Sequence, residues 1–365
     1  MKKLLALLLA LVMVFSLCAC GAKEEAPAAP AEEAPAAPAE EAPAAPVAEG
    51  EYDLTGCKPV KLVFANPSSS TEVQSIYAKQ FCEMVTEKSQ GLITFEYSDG
   101  GTLGTIQELL DGTNMGIYDF CLADTSFFET WVPEAVVVTM PFLTDNFDHA
   151  NKVFNSEVGD WFNGLVMDAT NLRIMGYGFT GFRYILSENE IDSLEDCEGT
   201  LIRSPEINVY TDLLSMMGFS YVTMAWSEAY TAMSTGIVNA VECPLMNLYE
   251  QGFYSLGQNI YNTRHLLSVC TYVMNDDTYN SLPDVYKQII DDCMAEAIVG
   301  ERETCAANEA GYMEKLEAEG CVFHDLEGES YDRIQEMFGE YWMTRAAEFG
   351  GEAADMLQVV IDLKG

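Results

Sequence analysis

Histidine is scarce in this chain. His149, His265 and His324 are the whole complement, and none has a second His, a Cys or a carboxylate at metal-site spacing. Zinc hydrolysis therefore has no ligand set, and no metal is expected. There is no Gly-x-Ser-x-Gly elbow, no Walker loop and no Cys-x-x-Cys pair, which removes the commonest nucleophile, nucleotide and redox motifs. No cofactor is expected. Basic residues are short as well, with 18 Lys and Arg against 58 Asp and Glu. Such a surface repels phosphate backbones, so nucleic acid is excluded as a partner.

Cysteine is present but does not read as a disulfide framework. Of eleven, Cys18 and Cys20 lie at the N-terminus and nine remain, an odd number, several inside apolar runs such as Phe120-Cys121-Leu122 and Val269-Cys270-Thr271. Buried free thiols acting as small hydrophobes are the expectation.

The first residues combine Met1-Lys2-Lys3 with an apolar run from Leu4 to Leu17 and then Cys18-Ala19-Cys20-Gly21. Fourteen apolar residues at about 1.5 Å rise reach only about 21 Å, short of a bilayer core, so residues 1–19 read as a removable secretory signal. The cleavage site resembles a bacterial lipobox, which makes Cys20 the lipid-modified N-terminus and puts the protein on the outer face of the cytoplasmic membrane. Behind it, Glu-Glu-Ala-Pro-Ala-Ala-Pro occurs three times. That composition cannot bury enough surface to order itself, so residues 20–57 are expected to be a lipid anchor and an extended tether. Without the leader, 16 basic residues face 58 acidic ones, a net charge near −42.

About 310 residues follow, enough for two lobes. Val60–Phe64 is an apolar run. Thr71 and Gln74 have capping-box spacing for a helix reaching Ser89, Leu92–Tyr97 reads as a strand, Thr105 and Glu108 open a second helix, and Phe120–Ala123 reads as a buried strand. Helices are expected between Phe147 and Met167, then a long strand or pair of strands from Arg173 to Leu186. A second set follows: a strand at Leu201, a helix near Pro205, strand Phe219–Met224, helix Ser227–Thr235 and strand Gly236–Cys243. This order predicts an α/β fold of two lobes built on mostly parallel sheet, with ligand at the strand C-termini. From Leu282 to about Glu319 the period is helical, with interruptions at Gly300 and Gly311, so a helix or helix pair crosses both lobes.

Gly176-Tyr177-Gly178-Phe179-Thr180-Gly181 matches the dinucleotide pattern, but Phe182–Leu186 continues as strand where a helix must begin. Close backbone approach or a hinge explains these glycines better. No Lys lies between Lys152 and Lys287, which leaves Arg173, Arg183, Arg203 and Arg264 as the positive charge of that stretch. A partly buried arginine needs an anion, either an internal carboxylate or a ligand. The internal bridge is expected for Arg173 and Arg264. Arg203 closes a strand just before Pro205, where a crevice ligand would lie.

Gly181-Phe182-Arg183, Ile191-Asp192-Ser193-Leu194-Glu195-Asp196, Leu201-Ile202-Arg203-Ser204-Pro205, Gly218, Met224-Ala225-Trp226-Ser227-Glu228-Ala229-Tyr230-Thr231-Ala232-Met233, Thr235-Gly236-Ile237-Val238 and Glu242-Cys243-Pro244-Leu245 stand in the order seen in one family. From about Val60 onward, with Asn275-Asp276-Asp277-Thr278-Tyr279 before the long helix, the chain resembles the DctP-type solute-binding subunit of TRAP transporters. The resemblance implies a periplasmic-binding-protein-like fold, with lobe I at 58–180 plus about 270–309 and lobe II at 181–269 plus about 310–365. It implies a small organic acid as ligand, the small and large TRAP membrane subunits as partners, a monomer, and no enzymatic activity. Arg203 would hold the carboxylate, Arg183 would add a second contact, Trp226 would flank the ligand, and Asp124 and Asn66 would face the cleft. Where the family usually has Glu-Asn-Pro, this chain has Glu242-Cys243-Pro244, and the usual Val-Asp-Gly is Val238-Asn239-Ala240. A thiol at Cys243 removes a polar contact and leaves room for an apolar ligand portion. Two other readings share these residues: a sensor reporting to a membrane kinase, and an enzyme using Cys243 on a carboxylate substrate.

Overall fold

The computed structural model describes residues 52–364 apart from 192 and 326–327. The signal segment, Cys20, most of the tether and Asp192 lie outside the described residues. Tyr52 is already buried and its hydroxyl donates to Asp292 at 2.9 Å. Residues 52–57 are thus part of the folded domain, not of the tether to which the sequence assigned them. No described helix is long and apolar enough to cross a membrane.

The first half runs β1 (Val60–Ala65), α1 (Val73–Lys88), β2 (Ile93–Ser98), α2 (Ile106–Asn114) and β3 (Phe120–Asp124). Thr105 caps α2 with Glu108 in the expected reciprocal box, whereas α1 is entered from Glu72, whose side chain makes no cap bond, so the Thr71–Gln74 spacing is not used. Helices α3 (Phe147–Phe154) and α4 (Glu157–Ala169) lead to β4 (Leu172–Ser187), one strand of 16 residues. The second half repeats the first with β5 (Leu201–Ser204), α5 (Asn208–Met216), β6 (Ser220–Thr223), α6 (Trp226–Ser234) and β7 (Ala240–Pro244). The repeat extends to single bonds. Asp119 Oδ2 accepts from Val63 N at 2.7 Å before β3, and Asn239 Oδ1 accepts from Leu201 N at 2.8 Å before β7. The chain ends with α7 (Leu245–Glu250), β8 (Asn259–Tyr261), β9 (Leu267–Asn275), α8 (Asp276–Ser281), α9 (Asp284–Ala318), β10 (Val322–His324), α10 (Gly328–Glu348) and α11 (Gly351–Asp362).

The sheet order is β2-β1-β3-β9-β4-β7-β5-β6. β2-β1-β3 and β7-β5-β6 are parallel within each half, while β9 and β4 run antiparallel to their neighbours. The expectation of mostly parallel sheet therefore holds inside each half and fails at the two crossing strands. β4 pairs with β9 through Phe182 and with β7 from Arg183, so the chain passes from one half to the other between those residues.

Helix α9 runs unbroken for 35 residues through both Gly300 and Gly311, which corrects the interruptions read from the sequence. A Cβ on Gly300 would stand 2.6 Å from Tyr77 Cε1 of α1. The residue is Gly because another helix lies against it. The motif glycines of β4 have the same cause: a Cβ on Gly176 would meet Ile298 at 2.8 Å, and one on Gly178 would meet the Glu301 carboxylate. Replacing Gly by Ala in an open helix adds about 1 kcal/mol of stability. Gly300→Ala is expected to lose about 1–2 kcal/mol instead, because Tyr77, held by Thr304 at 2.7 Å, must move. Urea unfolding of the two proteins gives the sign directly.

Candidate functional site

Parallel α/β halves leave loops at the C-terminal ends of their strands, and a crevice opens there. Pro67 follows β1, Thr105 and Ile106 open α2, Asp124 ends β3, Arg203 lies near the end of β5 and Pro205 follows it, Met224 and Ala225 connect β6 to α6, and Trp226 and Ser227 open α6. All of them border one cleft of about 490 Å³. A narrower inner cavity of about 90 Å³ shares Pro67, Ile106, Asp124, Arg183 and Trp226 with it and adds Glu72, Gln74, Thr180, Cys243, Asn247, Ser268 and Cys270. Five of the six expected site residues, Arg203, Arg183, Trp226, Cys243 and Asp124, are thus brought to one continuous space.

Arg203 is 3 % exposed. Its Nε and Nη2 both donate to the Met224 carbonyl, at 3.2 and 2.7 Å, and its guanidinium lies 5.6 Å from the Trp226 ring centre. It has no ion-pair partner among the described residues. Burial pulls its pKa down to about 10. Trp226 is wedged beside Phe253, 5.7 Å between ring centres, which leaves its other side to the cleft.

Arg183 differs. It is gripped by Glu242, with Nε on Oε2 and Nη2 on Oε1 at 2.7 Å, Nη2 also donates to the Glu242 carbonyl at 2.9 Å, and Nη1 donates to Ser268 Oγ at 2.7 Å. His265 Nε2 meets the same carboxylate at 3.2 Å. Burial alone would push Glu242 up, but Arg183 and His265 hold it down at about 2. Burial pulls the Arg183 pKa down and the Glu242 charge more than reverses that. Burial pulls His265 below its usual value. Arg183 therefore enters the cleft wall with its charge already neutralised. Arg173 and Arg264 form the internal bridges expected of them, to Asp276 at 2.6 Å and to Glu309 at 2.7 Å.

Asp124 accepts from Ser126 N at 3.0 Å and from Ser268 Oγ at 3.3 Å, and burial raises its pKa against the opposing pull of Arg183. Cys243 is buried, and burial pushes its thiol up. Asn66 is buried but does not border the cleft. Its amide donates to Ser75 Oγ and Tyr97 Oη, both at 2.8 Å, and its Oδ1 accepts from Ser68 N at 2.9 Å, so it holds the loop that carries Pro67 and Ser68. Its expected ligand contact is replaced by this structural one.

The sequence reading missed Glu72 and Gln74. Glu72 accepts from Gln74 Nε2 at 2.8 Å, Asn247 Nδ2 at 2.9 Å and Ser69 N at 3.1 Å. The available signal was their place in the first turn after a β1 crevice loop, which the capping-box reading of Gln74 obscured. Tyr210, 4.9 Å from the Arg183 guanidinium, was hidden in the apolar period of α5.

The family model for the bacterial extracellular solute-binding protein, family 7 (DctP), matches residues 64–348. The chain belongs to this family. Among its DctP relatives, the sialic acid-binding periplasmic protein SiaP of Vibrio cholerae is 26 % identical over 252 residues, 68 % of this chain and 78 % of the relative. The 2,3-diketo-L-gulonate-binding periplasmic protein YiaO of Escherichia coli is 23 % identical, covering 76 % and 86 %. A TRAP periplasmic solute-binding protein from Sulfitobacter sp. with bound α-D-taluronate superposes with a TM-score of 0.76 at 25 % identity, covering 83 % of this chain and 97 % of that one. One from Desulfovibrio desulfuricans with bound sn-glycerol-3-phosphate gives 0.80 at 21 %, covering 84 % and 98 %. These TRAP periplasmic solute-binding structures are two-lobed, and the present chain shares that fold. The expectations of family and fold class are borne out.

Proposed function

We propose that this protein captures a small organic acid outside the cell and delivers it to the membrane subunits of a TRAP transporter. The observation that supports this best is Arg203, a buried guanidinium near the end of a strand, facing a cleft of about 490 Å³ and in ion-pair contact with no carboxylate among the described residues. A desolvated cation without a counterion is a receptor for one, and the planar fork suits a carboxylate. Trp226 packs on the ligand body, and Asp124 and Cys243 line its far end. Arg183, already paired, shapes the site more than it binds. Relatives that bind sialic acid or 2,3-diketo-L-gulonate are carboxylate binders by name, which supports sugar acids as candidates.

In this reading lobe I is 58–180 plus about 270–309 and lobe II is 181–269 plus about 310–365, dividing near the point where β4 changes partner. Cys20 and the Glu-Ala-Pro segment tether the lobes to the membrane. The protein acts by binding, without turnover: the raised Cys243 thiol has no histidine beside it, since His265 is engaged with Glu242 and Thr263.

The test is a thermal-shift panel of the purified protein against mono- and dicarboxylates, amino acids, aldonates, uronates, sialic acid and the corresponding neutral sugars. Acids and not neutral sugars are expected to raise Tm, by several degrees at a hundredfold excess over Kd. A panel in which no acid moves Tm rejects the reading.

A further inference from the structure

The charges bordering the cleft do not cancel at either end. Arg203 has no ion-pair partner among the described residues. At the inner cavity the reverse holds: Asp124 and Glu72 both border it, and neither forms an ion pair among the described residues. Among the described residues the one cation bordering it, Arg183, is ion-paired with Glu242, and its charge reaches Asp124 without pairing with it. Gln74 adds an independent sign. It borders the same cavity and is 5 % exposed, its Nε2 is fixed by Ser68 Oγ at 2.9 Å and Glu72 Oε2 at 2.8 Å, and its Oε1 has no hydrogen-bond partner. Turning the amide over would set its oxygen against the Glu72 carboxylate, so the acceptor stays where it is. A buried acceptor left open is costly until a donor arrives.

Resting on the reading of Arg203 as carboxylate receptor, we propose that the cognate ligand is a zwitterion: a carboxylate at Arg203 and, remote from it, a protonated amine held by Asp124 and the Gln74 amide oxygen. An ammonium offers three donors and a positive charge, which answers both an open neutral acceptor and a carboxylate without a counterion. A hydroxyl answers only the first. The inner cavity, about 90 Å³, takes a terminal aminomethyl group and excludes a second bulky anion. Glu72 organises the site without touching the amine, because each of its oxygens already accepts two bonds, Oε1 from Ser69 and Gln251 and Oε2 from Gln74 and Asn247. By contrast, Asp124 Oδ1 takes both Ser126 donors and its Oδ2 accepts from Ser268 Oγ alone among the described residues, at 3.3 Å.

Matched pairs differing only in the remote group decide it: 4-aminobutanoate against 4-hydroxybutanoate, 6-aminohexanoate against 6-hydroxyhexanoate, and 6-amino-6-deoxygluconate against gluconate, titrated calorimetrically into the purified protein. The amino member of at least one pair is expected to bind tenfold or more tightly than its partner. Asp124→Asn is expected to erase that preference. Equal or tighter binding of the hydroxy member in every pair overturns the proposal, as does a preference that survives Asp124→Asn; both outcomes leave the carboxylate reading standing. Absence of binding by every carboxylate, here and in the thermal-shift panel, removes the carboxylate reading and this proposal with it.

Discussion

Arg203→Ala is expected to weaken binding of the cognate acid at least a hundredfold, about 3 kcal/mol, without lowering the stability of the unliganded protein. The two halves of that outcome come from one fact. In the free protein Arg203 is buried with the Met224 carbonyl as its one hydrogen-bond acceptor among the described residues, and burial outweighs the favourable charge of Glu242 and brings its pKa down to about 10. Removing it relieves a desolvated charge, so the Tm of the free protein stays level or rises. In the complex the same guanidinium gains a carboxylate in a water-poor cleft, and truncating one partner of such a pair costs about 2–5 kcal/mol. Arg183→Ala separates the cases. It strips Glu242 of a bidentate partner and leaves a buried carboxylate uncompensated, which is expected to cost about 3–5 kcal/mol of stability before any ligand is added. Calorimetric Kd values together with urea unfolding of both variants check this. An Arg203→Ala protein that binds as the parent does sinks the assignment.

The contrast between these arginines also marks how far the sequence could be read. Both sat in apolar strand contexts with Gly or Pro nearby, and local pattern treats them alike. What separates them is register. Arg183 lies opposite Pro244 across the antiparallel pair of β4 and β7, which brings the side chain of Glu242 within reach. Arg203 lies on a parallel pair with Val241, and although the charge of Glu242 reaches it, no carboxylate among the described residues comes within ion-pair distance. Pairing partners sixty residues away are not written in the local sequence. The element order was legible because each half is a chain of short periodic segments with Gly and cap residues between them. The direction of β9 and β4 was not, because apolar crossing strands look the same in either direction. Asn66 shows a similar limit: a polar residue after a crevice strand can point to ligand or hold its own loop, and Tyr97 and Ser75 decide for the loop.

The glycines of β4 were read from the sequence as giving close approach, and the group that approaches Gly178 is a carboxyl. Glu301 of α9 is fully buried, bonded to Tyr272 Oη at 2.5 Å through Oε2, and its Oε1 has no hydrogen-bond partner. Burial outweighs the Tyr272 bond and the nearby Arg302 charge and raises its pKa to about 8. In the unfolded chain the same group titrates near 4.5. Between those values the folded state holds a proton that the unfolded state has lost, so stability falls as pH rises from about 4.5 to about 8 and is level beyond. The size of the fall is on the order of 5 kcal/mol. Glu301→Gln keeps the shape and cannot ionise, so it is expected to match the parent near pH 5 and to exceed it by an increasing margin up to pH 8. Glu242 does not disturb the comparison, since its depressed pKa of about 2 places its own stabilisation fully in force above pH 5. The lowered pKa values of His265 and His149 reduce stability below about 6.5 in parent and variant alike and cancel in the difference. Urea unfolding of both proteins at pH 5, 6, 7, 8 and 9 measures the margin, and a difference that stays constant across that range would show that Glu301 is ionised throughout. The position of this carboxyl gives the result a bearing on binding. Tyr272 lies on β9, and Gly178 lies on β4, the two strands that cross between the halves. A charge forced onto Glu301 at high pH would loosen the contact of α9 with both crossing strands, and the pH dependence of ligand affinity should then differ between the parent and Glu301→Gln above pH 7.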